Sequence, residues 1–104
     1  MKKREFYIRY KNGFEKVSGY VETITDKQNK KITVGFHNVP GLWWCATHIE
    51  SGLLLSRHAK TRKECLEQVK DQKFIELLSS SIEREEIKEY IEQMQKFLKT
   101  GSID

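Results

Sequence analysis

A chain of 104 residues and 12.3 kDa has room for one hydrophobic core and excludes a two-domain reading. At 38% hydrophobic and 11% aromatic residues it is too apolar for a disordered tail, and no apolar run reaches the roughly 18 residues that a membrane span needs. The 19 Lys+Arg against 15 Asp+Glu leave a net charge of +4, which favours acidic partners.

From the N-terminus, charge returns at Arg9 before a signal-peptide hydrophobic region forms, so a cytoplasmic location is expected. Cys45 and Cys65 are too few for a disulfide scaffold and read as two reduced, mostly buried thiols. Glu5 to Tyr10 alternates as a strand. The Asn12-Gly13 pair then predicts a type I′ hairpin, with Lys11 opposite Phe14, Arg9 opposite Lys16 and Ile8 opposite Val17. In that register Phe6, Ile8, Val17 and Val21 line one side of the sheet. Tyr7, Arg9, Lys11, Phe14, Lys16 and Tyr20 line the other, which is basic and aromatic. The polar turn at 26–31 leads to a strand over Ile32 to His37, and Asn38-Val39-Pro40-Gly41 is the next break. Further strands are expected over Leu42 to Ile49 and Leu53 to Ser56.

Thr61 followed three residues later by Glu64 is a capping box, which starts a first helix over 61–78. Ser80 with Glu83 offers a second one. Ile87, Tyr90, Ile91, Met94, Phe97 and Leu98 then repeat at helical spacing, predicting a second helix over 81–100 that stops at Gly101. The expected architecture is a single α+β domain: an antiparallel meander of four to five strands over 1–56, then two C-terminal helices. The second helix packs beside the first or pairs with another copy of the chain in a homodimer. Charge divides along the chain: residues 1–78 hold 15 Lys+Arg and 9 Asp+Glu (+6), whereas residues 79–104 hold 4 and 6 (−2).

Sites for chemistry are sparse. Cys45, His48, His37, His58 and Cys65 are metal-ligand types. Cys45 and His48, however, stand three apart on one strand and point to opposite faces, and no Cys-x-x-Cys or His-x-x-x-His spacing supports them. There is no nucleophile elbow and no phosphate-binding glycine loop, so neither a metal nor a cofactor is expected and the chain reads as non-enzymatic. The acidic residues between Glu83 and Glu92 have Lys88 and Lys96 interleaved and read as a solvated helix face.

The run Arg57, His58, Lys60, Arg62, Lys63 is more specific, because it meets the start of a helix, where free N–H groups already favour an anion. With Arg9, Lys11 and Lys16 on the sheet it forms the candidate nucleic-acid-binding set; a solvated loop that keeps the chain soluble is the plain alternative. Of the adjacent Trp43 and Trp44, one faces outward, and the sequence leaves open which. Together with Tyr7 and Tyr20 these tryptophans form the candidate partner-binding set, suited to stacking on a base or anchoring in a protein.

The stretch Trp43 to Leu53 followed by Lys60-Thr61-Arg62-Lys63-Glu64-Cys65-Leu66 resembles small proteins encoded by phages and mobile elements of Gram-positive bacteria. It is also similar to the sheet-and-helix arm-binding domains of tyrosine integrases, which lay a sheet in the DNA major groove. The resemblance covers about a quarter of the chain. It implies an accessory protein in the cytoplasm of a bacterial host that binds DNA or RNA, with Lys60, Arg62 and Lys63 on phosphates. Phage proteins of this size also include anti-CRISPR inhibitors of host defence, so an acidic host protein is the alternative partner.

Overall fold

The computed structural model describes residues 3–10, 13–39 and 43–101; the side chains of residues 10 and 56–58 fall outside that description. Five strands, β1 (Arg4–Tyr10), β2 (Gly13–Thr25), β3 (Lys31–Val39), β4 (Trp43–His48) and β5 (Leu53–Ala59), form an antiparallel meander in chain order. Three helices follow: α1 (Arg62–Lys70), α2 (Gln72–Ile82) and α3 (Glu85–Thr100). The class is the expected α+β meander, with one helix more than the periodicity indicated.

The extra break falls at Asp71. Its carboxylate accepts a hydrogen bond from the Lys73 backbone N–H at 2.8 Å, so it competes with continued helix and caps α2. The serine run at 79–81, expected to separate two helices, instead lies inside α2. Ser81 donates back to the Leu77 carbonyl at 2.8 Å, and Ser79 donates to Asp26 Oδ2 at 2.6 Å. Ser80 is therefore not a cap. Glu83 closes α2 and pairs with Lys30, and α3 starts after Arg84. The Thr61 cap does form, since Thr61 Oγ1 accepts from the Glu64 N–H at 3.1 Å, while the Glu64 carboxylate reaches one residue beyond the cap to the Lys60 N–H instead of closing a reciprocal box.

The first hairpin pairs one residue earlier on each strand than the Asn-Gly reading predicts. Pairing ends at Tyr10 opposite Gly13, and residues 11 and 12 lie outside the described residues. Phe6 thus faces Val17, where the expected register would set it against Gly19, so a cross-strand apolar pair is gained. Because both strands slip by one, the two sets of residues sharing a face are unchanged.

β2 changes partner at its midpoint. Residues up to Gly19 pair with β1, and Tyr20 to Thr25 pair with β3. At this corner the chain runs so close to β3 that a Cβ on Gly19 would sit 1.9 Å from the Phe36 carbonyl oxygen. The β1–β2 hairpin folds over one face of the sheet, and the Phe6 ring lies on Gly35, where a Cβ would meet it at 2.6 Å. The curl is tied at its free edge by the Arg9 N–H, which donates to the Gly52 carbonyl at 2.9 Å.

The other face holds the main core. Ile24, Ile32, Val34, Phe36 and Ala46 share it by register and are buried under Cys65 and Val69 of α1 and Ile75, Leu78 and Ile82 of α2. Neither cysteine is in a disulfide, and both are buried.

Candidate nucleic-acid interface

Arg9 was the first of the candidate contacts along the chain, and its guanidinium is committed inside the fold. Nε donates to the Ser51 carbonyl and Nη2 to the Tyr90 carbonyl, each at 2.9 Å. The group lies 4.4 Å from the Tyr90 ring centre and 4.9 Å from that of Phe14, and burial pulls its pKa downward. Tyr7 is likewise used by the fold: its ring stands edge-on to Phe97 at 4.9 Å, and Phe14 stacks on the same ring at 4.6 Å. Lys16 is exposed, with its ammonium 5.8 Å above the Tyr7 ring.

The basic and aromatic side of the hairpin is therefore not an open surface: α3 packs on it. Tyr90, Met94 and Phe97, read from sequence as a stripe that packs beside the first helix or pairs with a second copy of the chain, pack on the hairpin and the β4–β5 turn within one chain. Helical spacing gave no means of telling these two uses apart.

The cations at the α1 start stand differently. Lys60, Arg62 and Lys63 are all exposed. Arg62 lies 4.1 Å from the ring centre of Tyr20, and Tyr20 in turn lies 6.2 Å from Trp44 with the rings tilted by 32°. Tyr20 and Trp44 meet because each neighbours Phe36 or Asn38 of β3 in the ladder, on the face that α1 crosses. With Thr61, Lys63 and Leu66 these residues line an open groove of about 620 Å³ at the first turn of α1. The groove joins two aromatic rings, the two cations Arg62 and Lys63 and a helix N-terminus, with Lys60 exposed just before it, an arrangement chemically matched to phosphate beside an unstacked base.

Lys11 lies outside the described residues, as do the side chains of Arg57 and His58. Trp43 and Trp44 are both half-buried. Trp44 packs against the rim of the helix-backed core, beside Arg62 and Leu66 of α1.

Two buried histidines lie away from this groove. His48 Nδ1 is 2.7 Å from Ser51 Oγ, which also accepts from the Leu53 N–H at 3.2 Å. Ser51 is fully buried, and the pair closes the β4–β5 turn. His37 stands on the opposite face, edge-on to Phe6 at 6.2 Å. Burial lowers the pKa of both, opposed at His37 by Glu15 and at His48 by Glu50. Among the described residues no three His, Cys, Asp or Glu side chains could hold a metal ion, and no helix is long and apolar enough to cross a membrane.

Comparison of the chain with protein-family models, with curated proteins and with solved structures finds no match.

Proposed function

We propose that this domain is a non-enzymatic accessory protein of the phage or mobile-element type that binds nucleic acid through the groove at the start of α1. The observation that carries the reading is the chain of contacts Arg62 to Tyr20 to Trp44 beside the exposed Lys60 and Lys63. Stacking holds a base without regard to its identity, while the cations and the Thr61-capped helix end face phosphate. Relative to the sequence reading, the contact surface moves off the first hairpin and onto the junction of β2, β4 and α1.

The test is fluorescence anisotropy with labelled single-stranded and duplex DNA and RNA across a salt series. Three neutralised phosphates give a slope of log affinity on log salt of about −2 to −3. Trp44→Ala should weaken binding by about 5- to 100-fold, from a stacking contribution of roughly 1–3 kcal/mol per base. The triple charge reversal Lys60→Glu, Arg62→Glu, Lys63→Glu should abolish it. Absence of a salt-sensitive complex with every oligonucleotide, or indifference to both sets of changes, refutes the reading.

A second reading, an inhibitor that binds a host protein, is favoured by a separate observation. An apolar groove of about 330 Å³ between β5 and the helices is lined by Leu53, Phe74 and Ile87, with Leu54 and Leu77 exposed at its rim. A stoichiometric protein recovered from nuclease-treated bacterial lysate, and lost on Leu77→Glu, supports this reading over the first.

A further inference from the structure

The groove at the start of α1 is restricted in what it can hold. Tyr20 of β2 and Trp44 of β4 line it together with Thr61, Arg62, Lys63 and Leu66, so it follows roughly 8 Å of the helix axis. Trp44, Tyr20 and Arg62 form a row. Tyr20 is 6.2 Å from Trp44 with the rings tilted by 32°, and the Arg62 guanidinium lies over the Tyr20 ring at 4.1 Å. Arg62 is exposed, which leaves the row open at its outer end. A guanidinium is flat and weakly hydrated, so it accepts a further ring on its free side; a lysine there would supply the charge without the plane.

Duplex and single strand make different use of such a row. In a duplex the bases are stacked on one another and the outside offers phosphates, so the cations would be engaged while the aromatic surface stayed in water. A duplex reader instead places an element in the major groove. The basic side of the first hairpin, the surface that could enter one, is covered by α3, with Tyr90 against Arg9 and Phe97 against Tyr7 and Phe14. Lys16 stands over Tyr7, outside the α1 groove. In a single strand, by contrast, a base can leave its neighbours and stack on Arg62 while the phosphates on either side meet Lys60 and Lys63, both exposed.

The lining also bears on base identity. Asn, Gln, Asp and Glu, the side chains that pair with adenine and cytosine edges, are missing from it among the described residues, and Thr61 Oγ1 already accepts the Glu64 N–H. Stacking remains, and every base has a face to stack.

We infer that the groove selects single-stranded over duplex nucleic acid, holding one base on Arg62 and the phosphates on either side of it, with little regard to the identity of the base. The inference rests on the nucleic-acid reading of this groove and adds which form of nucleic acid enters it.

The experiment measures binding of the intact protein, by fluorescence anisotropy, to short labelled oligothymidylate, oligoadenylate and oligocytidylate and to a blunt duplex with the same number of phosphates. The single strands should bind about 5- to 100-fold more tightly than the duplex, the share of one stacked base, and should agree with one another within about tenfold. Arg62→Lys keeps the charge, so duplex binding and the salt slope should hold while single-strand binding falls about two- to fivefold and the gap between the two forms narrows. Equal affinity for both forms, abolished in both by the triple charge reversal at Lys60, Arg62 and Lys63, overturns this inference and leaves the groove as a nucleic-acid site. An Arg62→Lys protein that matches the parent on single strands, or a preference among the three single strands well above about tenfold, overturns it too. Absence of binding to every probe removes the groove reading and the inference together.

Discussion

The two halves of β2 are held by different physics. Tyr20 to Thr25 lie on a sheet whose inner residues, Ile24, Ile32, Val34 and Phe36 among them, are apolar and almost fully buried under Cys65 and Val69 of α1. Gly13 to Gly19 belong to a hairpin that grips α3 through aromatic rings and one arginine, with Phe14 and Tyr7 each against Phe97 and Arg9 bonded to two carbonyls. The first kind of contact is non-directional and scales with area removed from water. The second depends on particular donors meeting particular acceptors, so one substitution can remove much of it. A domain built this way should lose α3 before it loses the α1–α2 core.

The largest effect is expected at Phe36, 1% exposed in the centre of the core. Phe36→Ala should cost about 3–5 kcal/mol and bring down every element together in chemical denaturation. Second comes Arg9→Met, which keeps the stem and removes the donors. It should cost about 2 kcal/mol, from two hydrogen bonds to a charged group on a partly exposed side chain. Hydrogen exchange should then quicken in α3 and the hairpin while α1 stays protected. Equal loss of protection in α1 would show that the two regions are one cooperative unit.

The third test uses pH. Burial holds His37 and His48 below the usual imidazole pKa, so the unfolded chain binds more protons than the folded one. Their contribution is complete above about pH 6.5 and is lost as pH falls from there through the folded values. Asp26 is held below the usual carboxylate range, chiefly by the Ser79 hydroxyl and then by the Lys30 N–H. Its contribution is complete above about pH 4 and disappears below that as the folded value is passed. Thermal denaturation should show two descents in Tm, and His48→Gln should flatten the upper one. The smallest effect is expected from Lys30→Met, which removes the exposed ion pair with Glu83 and should leave Tm nearly unchanged.

Much of the helix-backed core was legible in the sequence. Ile32, Val34 and Phe36 alternate, Cys65 and Val69 stand at helical spacing, and both patterns report burial because apolar side chains have one direction in which to go. The Thr61 cap was legible for a similar reason, since its partner lies three residues away. Asp71 was less so: an aspartate in a polar stretch reads equally as helix surface and as cap, and its bond to Lys73 decides the matter.

The candidate site was legible in its residue types and not in its grouping. Lys60, Arg62 and Lys63 are local in sequence and were found together. Tyr20 and Trp44 join them only because β2 and β4 flank β3. His37 and Glu15 carry no spacing signal, since their proximity exists only once the hairpin folds over.

Local periodicity and capping chemistry thus determined the α+β class, the meander, the α1 start and the aliphatic core, because each depends on neighbours a few residues apart. Tertiary structure decided which side of the first hairpin would be covered and the fate of Arg9. Those outcomes turn on the corner at Gly19, where a backbone approach to Phe36 that only glycine permits sets the direction in which the sheet curls.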